Sequence, residues 1–177
     1  MIIILDDVLS KDELETLNEG IDTKVSIDKL NILSDWNEIK FSHSLLKIMS
    51  KYFPLKWYYK YELWKHESSR YIPQNVLSIL PWHLDKDEKL YDKMGIPDVP
   101  LFGLIYYPLI KSLQGGELIL ENGTTIIPRF NRMVLFSTGT IKHMVSEYRG
   151  ERHSFLINIW DKKNLGIPRL NIRSNER

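Results

Sequence analysis

The segment 152–160 carries different kinds of side chain at alternate positions. In a β-strand, successive side chains point to opposite faces. One face would then be almost wholly apolar and consists of His153, Phe155, Ile157 and Ile159. The other face carries the polar groups and consists of Arg152, Ser154, Leu156, Asn158 and Trp160. The apolar face suits packing against helices, whereas the polar groups need partners if they point into a barrel. We therefore expect a strand that separates a helix-covered layer from a polar interior.

Segment 152–160 is one of several short predicted strands in the second part of the chain. The others are residues 57–64, 76–80, 101–107, 117–120, 124–127, 133–136 and 142–146. Asn122-Gly123 separates two of them and is a strong signal for a two-residue hairpin. Short strands at this spacing indicate a sandwich or a jelly-roll barrel.

The first 55 residues are predicted to be helical after a short strand at residues 2–5. Ser10 and Glu13 have the spacing of a capping box, which predicts a helix from about residue 11 to 21. A second helix is expected from Ser42 or Ser44 to Tyr52, and a short one within residues 86–94. We expect a single domain over residues 1–177, with a helical cover (1–55), a jelly-roll core (56–160) and a C-terminal tail (161–177).

Composition excludes several classes of function. The net charge of +1 gives no whole-chain electrostatic basis for binding nucleic acid or an anionic membrane. The chain has no cysteine, which rules out disulfides and cysteine-bound metals. The apolar start at residues 1–5 is too short for a signal peptide or a membrane span. We expect a cytoplasmic protein without membrane or nucleic-acid partners.

His83 and Asp85 follow the predicted strand 76–80, which we expect Pro81 to break. Alternate residues of an extended segment point to the same side, so both side chains can face one point. With one more histidine they would form a 2-His-1-carboxylate triad, the arrangement that suits non-haem Fe(II). On its own the triplet is a weak signal, because most such triplets arise by chance, with His and Asp solvated or hydrogen-bonded at a strand end.

His143 is the best candidate for the third metal ligand. Of the other histidines, His43 and His66 are most simply solvated, and His153 belongs to the apolar face of its strand. The predicted metal ligands are therefore His83, Asp85 and His143. His143 and His153 are expected in one strand pair, around a turn at residues 149–151.

Arg152 and Ser154 share a face and could bind an anion. Arginine offers a planar fork of donors that matches a carboxylate, and a serine hydroxyl beside it can add a hydrogen bond. The simpler interpretation of Arg152 is an internal ion pair with an acidic residue. The alternative is a carboxylate that arrives with a ligand.

The order His83-x-Asp85, His143, Arg152-x-Ser154 resembles the 2-oxoglutarate/Fe(II)-dependent dioxygenase superfamily. Within it, segment 103–108 (GLIYYP) and segment 115–118 (GGEL) resemble the prolyl-4-hydroxylase-like branch. The resemblance covers roughly residues 71–160. The chain departs from the branch at Pro108-Leu109, where the branch has Leu-Asn, and at Arg152, where many members have lysine.

The resemblance implies a double-stranded β-helix (jelly-roll, cupin-like) with N-terminal helices packed on one sheet. It implies Fe(II) bound by His83, Asp85 and His143. The cosubstrate 2-oxoglutarate would be bound by Arg152 and Ser154, with the Tyr107 hydroxyl against its carboxylate and Leu118 on an apolar wall of the same pocket. The implied reaction uses O2 to hydroxylate a C–H bond of a small molecule or a peptidyl residue, as in prolyl hydroxylases, and yields succinate.

Three alternatives stay open. The same ligands could serve a Zn or Mn isomerase or hydrolase on a jelly-roll. The chain could also be a non-catalytic ligand-binding barrel in which the triad is accidental. Tyr107, finally, could be a half-buried tyrosine of the barrel without a ligand role.

Overall fold

The protein folds into two antiparallel sheets with helices beside them. The structure is a computed structural model that describes residues 1–20, 36–56, 60–67 and 80–161. In chain order the elements are β1 (Ile3–Leu5), α1 (Lys11–Gly20), α2 (Trp36–Met49), β2 (Lys60–Glu67), β3 (Leu80–His83), α3 (Glu88–Met94), β4 (Phe102–Gly115), β5 (Leu118–Leu120), β6 (Thr125–Ile126), β7 (Arg132–Phe136), β8 (His143–Val145) and β9 (Tyr148–Trp160). The larger sheet has the order β1-β7-β4-β9-β2, and the smaller has the order β3-β8-β5-β6. The mainly β architecture predicted from the sequence is confirmed.

The capping box at the start of α1 is confirmed. The Ser10 backbone N–H donates to Glu13 Oε2 at 2.9 Å, and the Glu13 N–H donates to Ser10 Oγ at 3.3 Å. Helix α2 begins earlier than predicted, at Trp36, and ends at Met49 rather than at Tyr52. Its regular hydrogen bonding stops there because the Tyr52 N–H donates to the Met49 carbonyl in a tighter turn.

An apolar core lies on the outer face of the larger sheet. It includes Leu45, Leu46 and Met49 of α2, together with sheet residues Leu104, Tyr106, Met133, Leu135, Phe155, Ile157 and Ile159. The last three belong to the face of β9 that was predicted to be apolar. Contiguous burial of this kind is the main favourable contribution to folding.

A second core lies between the two sheets. It consists of Ile105, Tyr107, Leu118, Leu120, Ile126, Val134 and Phe136. The predicted hairpin contributes to it: β5 pairs with β6, and Gly123 in the turn has a φ of +85°. The predicted hairpin is therefore present, but its loop has three residues (121–123) rather than two, because the Leu120 N–H donates to the Thr124 carbonyl oxygen.

The predicted turn at residues 149–151 is wrong. Strand β9 runs without interruption from Tyr148 and pairs with β4, whereas β8 pairs with β3 and β5 in the other sheet. Gly150 indicates a close approach of two strands instead. Its φ is +107°, and an added Cβ would lie 2.3 Å from the Ser112 carbonyl oxygen.

Pro81 does not break the strand before His83. It lies inside β3, where the pairing with β8 shifts register between Leu80 and His83. Strand β3 is at the end of its sheet among the described strands, and edges and bulges are the positions that tolerate proline.

Several predictions concern residues outside the described ones: segments 21–35, 57–59 and 76–79, and the tail after residue 161. Within the ranges that are described, no helix combines the length and apolar character needed to span a bilayer.

Candidate metal centre

The side chains of His83, Asp85 and His143 converge on one point. Asp85 Oδ1 lies 3.6 Å from His83 Nε2 and 3.7 Å from His143 Nε2. One potential ligand atom from each residue lies within 4.8 Å of the other two. Across residues 1–20, 36–56, 60–67 and 80–161, this is the one group of three or more acidic, histidine or cysteine side chains so arranged.

Strand pairing and one loop contact bring the three residues together. His83 and His143 are directly opposite each other on β3 and β8, and their ring centroids are 4.2 Å apart. Asp85 lies beyond the end of β3, so strand alternation is not the reason for its orientation. Its backbone N–H instead donates to the Thr138 carbonyl oxygen at 3.1 Å. His153 stays apart on the helix-facing side of β9, as expected from the alternation.

Backbone carbonyls fix the orientation of both imidazoles. His83 Nδ1 lies 2.7 Å from the Pro81 carbonyl oxygen, and His143 Nδ1 lies 3.0 Å from that of Ile141. A carbonyl oxygen only accepts, so each Nδ1 carries the proton. In the neutral form of each ring, Nε2 then presents its lone pair to the common point. A contact from Nδ1–H to a carbonyl oxygen is the usual outer contact of metal-binding histidines.

Burial lowers the pKa of His143. Loss of solvation is the main cause, while the attraction of Asp85 and the Ile141 carbonyl oppose it. A lowered pKa keeps the imidazole neutral near pH 7. The neutral form is the one that binds metal.

Asn158 holds the carboxylate of Asp85. Its amide Nδ2 donates to Asp85 Oδ2 at 2.9 Å, and Thr138 Oγ1 donates to Asn158 Oδ1 at 3.0 Å. All three side chains are buried. Gly103 leaves room for them, because a Cβ there would lie 2.4 Å from Asn158 Oδ1 and 2.8 Å from Thr138 Cγ2. Alternation places Asn158 on the interior face, but no local pattern identifies Thr138 as its partner.

A cavity of about 80 Å³ opens beside the triad. His83 and His143 line one part of it, and Arg152 and Ser154 line another. Its apolar walls include Leu80, Ile105, Leu118, Val145 and Leu156. Predicted site residues from four strands thus meet around one space.

Arg152 is a buried cation in this cavity. It is 3% exposed, and its Nη1 donates to Ser154 Oγ at 3.3 Å. The ring centroid of Tyr107 lies 5.1 Å from the guanidinium carbon. That distance is within the range of a cation–π contact. The guanidinium is therefore oriented by the serine and by the aromatic ring.

Tyr107 is not among the residues that line the cavity. It is fully buried, and its hydroxyl makes no hydrogen bond of acceptable geometry within the described part of the chain. Burial raises the pKa of this hydroxyl, and the Arg152 guanidinium opposes part of the increase. The phenol thus stays protonated and can act as a donor.

Tyr148 is a cavity residue that the sequence analysis missed. It lines the cavity and lies 5.8 Å, ring centroid to guanidinium carbon, from Arg152. The predicted turn at residues 149–151 ended the predicted strand at Arg152, so Tyr148 was not assigned to it. Had the alternation been extended backwards from Arg152 through Gly150, Tyr148 would have been assigned to the same face.

The donor set fits a divalent metal that prefers nitrogen and oxygen ligands. Two imidazoles and one carboxylate oxygen on one side of an ion leave positions open toward the cavity. This is the ligand set of non-haem Fe(II) oxygenases.

Comparison with known proteins gives matches among solved structures only: no family model and no curated protein matches the chain. A viral collagen prolyl hydroxylase from Paramecium bursaria chlorella virus-1, solved with 2-oxoglutarate, superposes with a TM-score of 0.64 at 16% identity over 90% of this chain and 95% of that one. An oxidoreductase of the 2OG-Fe(II) oxygenase family from Burkholderia pseudomallei gives 0.64 at 12% identity, over 90% and 84%. A Trichoplax adhaerens prolyl hydroxylase, in complex with a hypoxia-inducible factor peptide fragment, gives 0.60 at 17% identity, over 92% and 84%. The chain therefore has the double-stranded β-helix fold of these 2-oxoglutarate/Fe(II) oxygenases and prolyl hydroxylases, as its motifs predicted.

Proposed function

We propose that the protein is an Fe(II)- and 2-oxoglutarate-dependent dioxygenase that hydroxylates a C–H bond of its substrate. The observation that carries this proposal is the shared cavity. Two potential metal ligands (His83, His143) line the same small space as a buried guanidinium (Arg152), and the third, Asp85, has a ligand atom within 4.8 Å of those of both histidines. A keto acid with a second carboxylate has the two functional groups that such a space can bind.

The metal, when bound together with 2-oxoglutarate and O2, supplies oxidation of a C–H bond coupled to decarboxylation of 2-oxoglutarate to succinate. The protein contributes binding, orientation and exclusion of side reactions. His83, Asp85 and His143 would bind the iron on one side and leave its cavity side open. Their outer contacts, to Pro81, Asn158 and Ile141, hold the ligand atoms in place before the metal arrives.

Arg152 would bind the far carboxylate of 2-oxoglutarate. Its fork can form two parallel hydrogen bonds to a carboxylate, and burial strengthens the attraction because little water screens it. Ser154 orients the guanidinium from its side. Apolar residues such as Ile105 and Leu118 line the space between and limit the entry of water. Leu118, at 0% exposure, would pack against the methylene groups of the cosubstrate.

A peptidyl residue is the first substrate class to test. Two of the similar structures are prolyl hydroxylases, one with a peptide fragment bound and one that acts on collagen by its name. Pro108-Leu109 and Arg152 differ from the prolyl-4-hydroxylase pattern, so free amino acids belong in the same screen. Succinate formation stimulated by one compound would identify the class.

Anaerobic absorption spectroscopy tests the cofactor assignment. Wild-type protein with Fe(II) and 2-oxoglutarate should develop the charge-transfer band of an iron-bound keto acid. His143→Ala should lose the band, whereas His43→Ala should keep it, because His43 is exposed on α2. A flat spectrum of the wild-type protein would overturn the proposal. Metal-dependent turnover without succinate would instead indicate a Zn or Mn isomerase or hydrolase.

A further inference from the structure

Tyr148 lies in the cavity at its cationic part. It shares the interior face of β9 with Arg152 and is 6% exposed. Its ring and that of Tyr107 lie 5.8 and 5.1 Å from the guanidinium carbon. Two phenols therefore accompany one buried cation.

The hydroxyls of Tyr148 and Tyr107 have the same unmet requirement. Both are buried, and neither makes a hydrogen bond of acceptable geometry to any of the described residues. A buried polar group left in that state has lost its hydration without gaining a partner, which is unfavourable. Arg152 cannot accept their protons, because a guanidinium has donors only. This part of the cavity is therefore rich in donors and needs an acceptor.

A carboxylate supplies what these donors need. Its two oxygens offer about four lone-pair sites, enough for the guanidinium and for the phenol of Tyr148. A neutral ligand group or a single water would satisfy fewer of them. The local chemistry thus favours an anion with several acceptor sites.

Gly116 holds Tyr148 and Arg152 in position. Its φ is +77°, and an added Cβ would lie 3.2 Å from Tyr148 Cβ and 3.3 Å from Arg152 Cδ. The Gly116 N–H donates to the Glu147 carbonyl oxygen at 3.1 Å, next to Tyr148 in the chain. The backbone of Gly116 packs against both side chains and restricts their movement before any ligand binds.

We propose that Tyr148 is a specificity-determining residue whose hydroxyl donates a hydrogen bond to the far carboxylate of the keto acid at Arg152. The inference rests on the proposed function, since it takes 2-oxoglutarate as the ligand. Tyr148 thereby favours keto acids that carry a second carboxylate over those that lack one.

The test compares two keto acids in Tyr148→Phe, which removes only the hydroxyl. Each keto acid is titrated into anaerobic Fe(II)-loaded protein, and the charge-transfer band gives its Kd without turnover. The Kd of 2-oxoglutarate should rise about tenfold, as for one hydrogen bond to a charged group. The Kd of 2-oxobutyrate, which lacks the second carboxylate, should not change. Tyr52→Phe, at an exposed tyrosine after α2, should leave both values unchanged.

Thermal unfolding of the ligand-free protein separates this role from a structural one. Removing a hydroxyl that has no partner should not lower the Tm, whereas loss of a structural hydrogen bond should. Equal affinity of wild-type and Tyr148→Phe protein for 2-oxoglutarate would overturn the inference alone. An equal loss for both keto acids would also overturn it, because it would place the effect at the metal. Absence of a band in the wild-type protein would overturn the proposed function and this inference together.

Discussion

The side-chain amide of Asn158 donates a hydrogen bond to Oδ2 of Asp85 at 2.9 Å, which leaves Oδ1 to face both histidines. The two oxygens of this carboxylate thus have separate tasks. One is bound by the protein, and the other is available to a metal. Because Thr138 in turn donates to Asn158, the orientation of Asp85 depends on a chain of buried hydrogen bonds.

Asn158→Leu should weaken metal binding. Leucine has nearly the same size but cannot hold Asp85, and loss of such an outer contact lowers metal affinity about 10- to 100-fold. Anaerobic titration with Fe(II) or Mn(II) measures the change. Thr138→Val, which removes only the outer link of the chain, should have a smaller effect. Unchanged affinity in Asn158→Leu would show that Asp85 is oriented by other contacts.

Gly103→Ala should also weaken metal binding, because Gly103 lies on β4 opposite Asn158 of β9. A Cβ at Gly103 would lie 2.4 Å from Asn158 Oδ1, so the amide must move away from its position beside Asp85. We expect lower metal affinity and a lower Tm. Gly123→Ala provides a control, since nothing lies within 4 Å of a Cβ there, although alanine at this positive φ carries its own cost of about 1–2 kcal/mol. Similar metal affinity in both variants would contradict the prediction.

Arg152→Met should separate cosubstrate binding from metal binding. Removing one partner of a buried charge pair costs at least about 2 kcal/mol, which corresponds to roughly a 30-fold higher requirement for 2-oxoglutarate. Fe(II) affinity in the absence of keto acid should be retained, because Arg152 is not among the converging ligands. Succinate formation against 2-oxoglutarate concentration gives the first value, and metal titration gives the second. Loss of metal binding would contradict the assigned role.

Asp6→Asn should lower stability in a pH-dependent way. Asp6 accepts two hydrogen bonds from Arg132, at 2.6 and 2.8 Å, and these contacts join β1 to β7. They lower the Asp6 pKa below its usual value of 3.8, although burial opposes part of this decrease. A lowered folded-state pKa contributes stability above the unfolded-state pKa, and the contribution is lost as pH falls through the folded-state value.

The expected decrease in Tm for Asp6→Asn is about 1–3 °C at pH 7, as for a partly exposed ion pair. The difference from wild type should shrink as the pH falls below about 4, which scanning fluorimetry across pH can follow. The neighbouring variant Asp7→Asn serves as a control. A difference that stays constant down to pH 3 would exclude the ion pair as its cause.

Much of the fold was predictable because polar and apolar side chains alternate strictly along strands whose two faces have different surroundings. The faces of β9 follow from its side chains alone, and Phe155 and Ile157 lie in the helix-side core as expected. The hairpin at Asn122-Gly123 was predictable because few residues tolerate a positive φ. The pairing of His83 with His143 does not follow from strand alternation alone, because it depends on β3 and β8 being neighbours in one sheet.

The missed features depend on contacts between distant parts of the chain. Asp85 is directed by the Thr138 carbonyl, a backbone contact that leaves no trace in residue types. Tyr148 is not predicted as a cavity residue because Gly150 is typical of a turn. In the structure, Gly150 instead allows β9 to approach the Ser112 backbone closely. A glycine can signal either, and the sequence around it does not distinguish the two.

Because ligand-binding and core residues alternate along β9, the concentration of the ligand should also affect how long the folded protein persists. Arg152 and Ser154 alternate with core residues on one strand, so a ligand bound to them binds the folded chain and not the unfolded one. At 100 times its Kd, such a ligand adds about 2.7 kcal/mol to the free energy of unfolding. Where proteases remove unfolded chains, abundance of the keto acid would then raise the amount of protein as well as its occupancy.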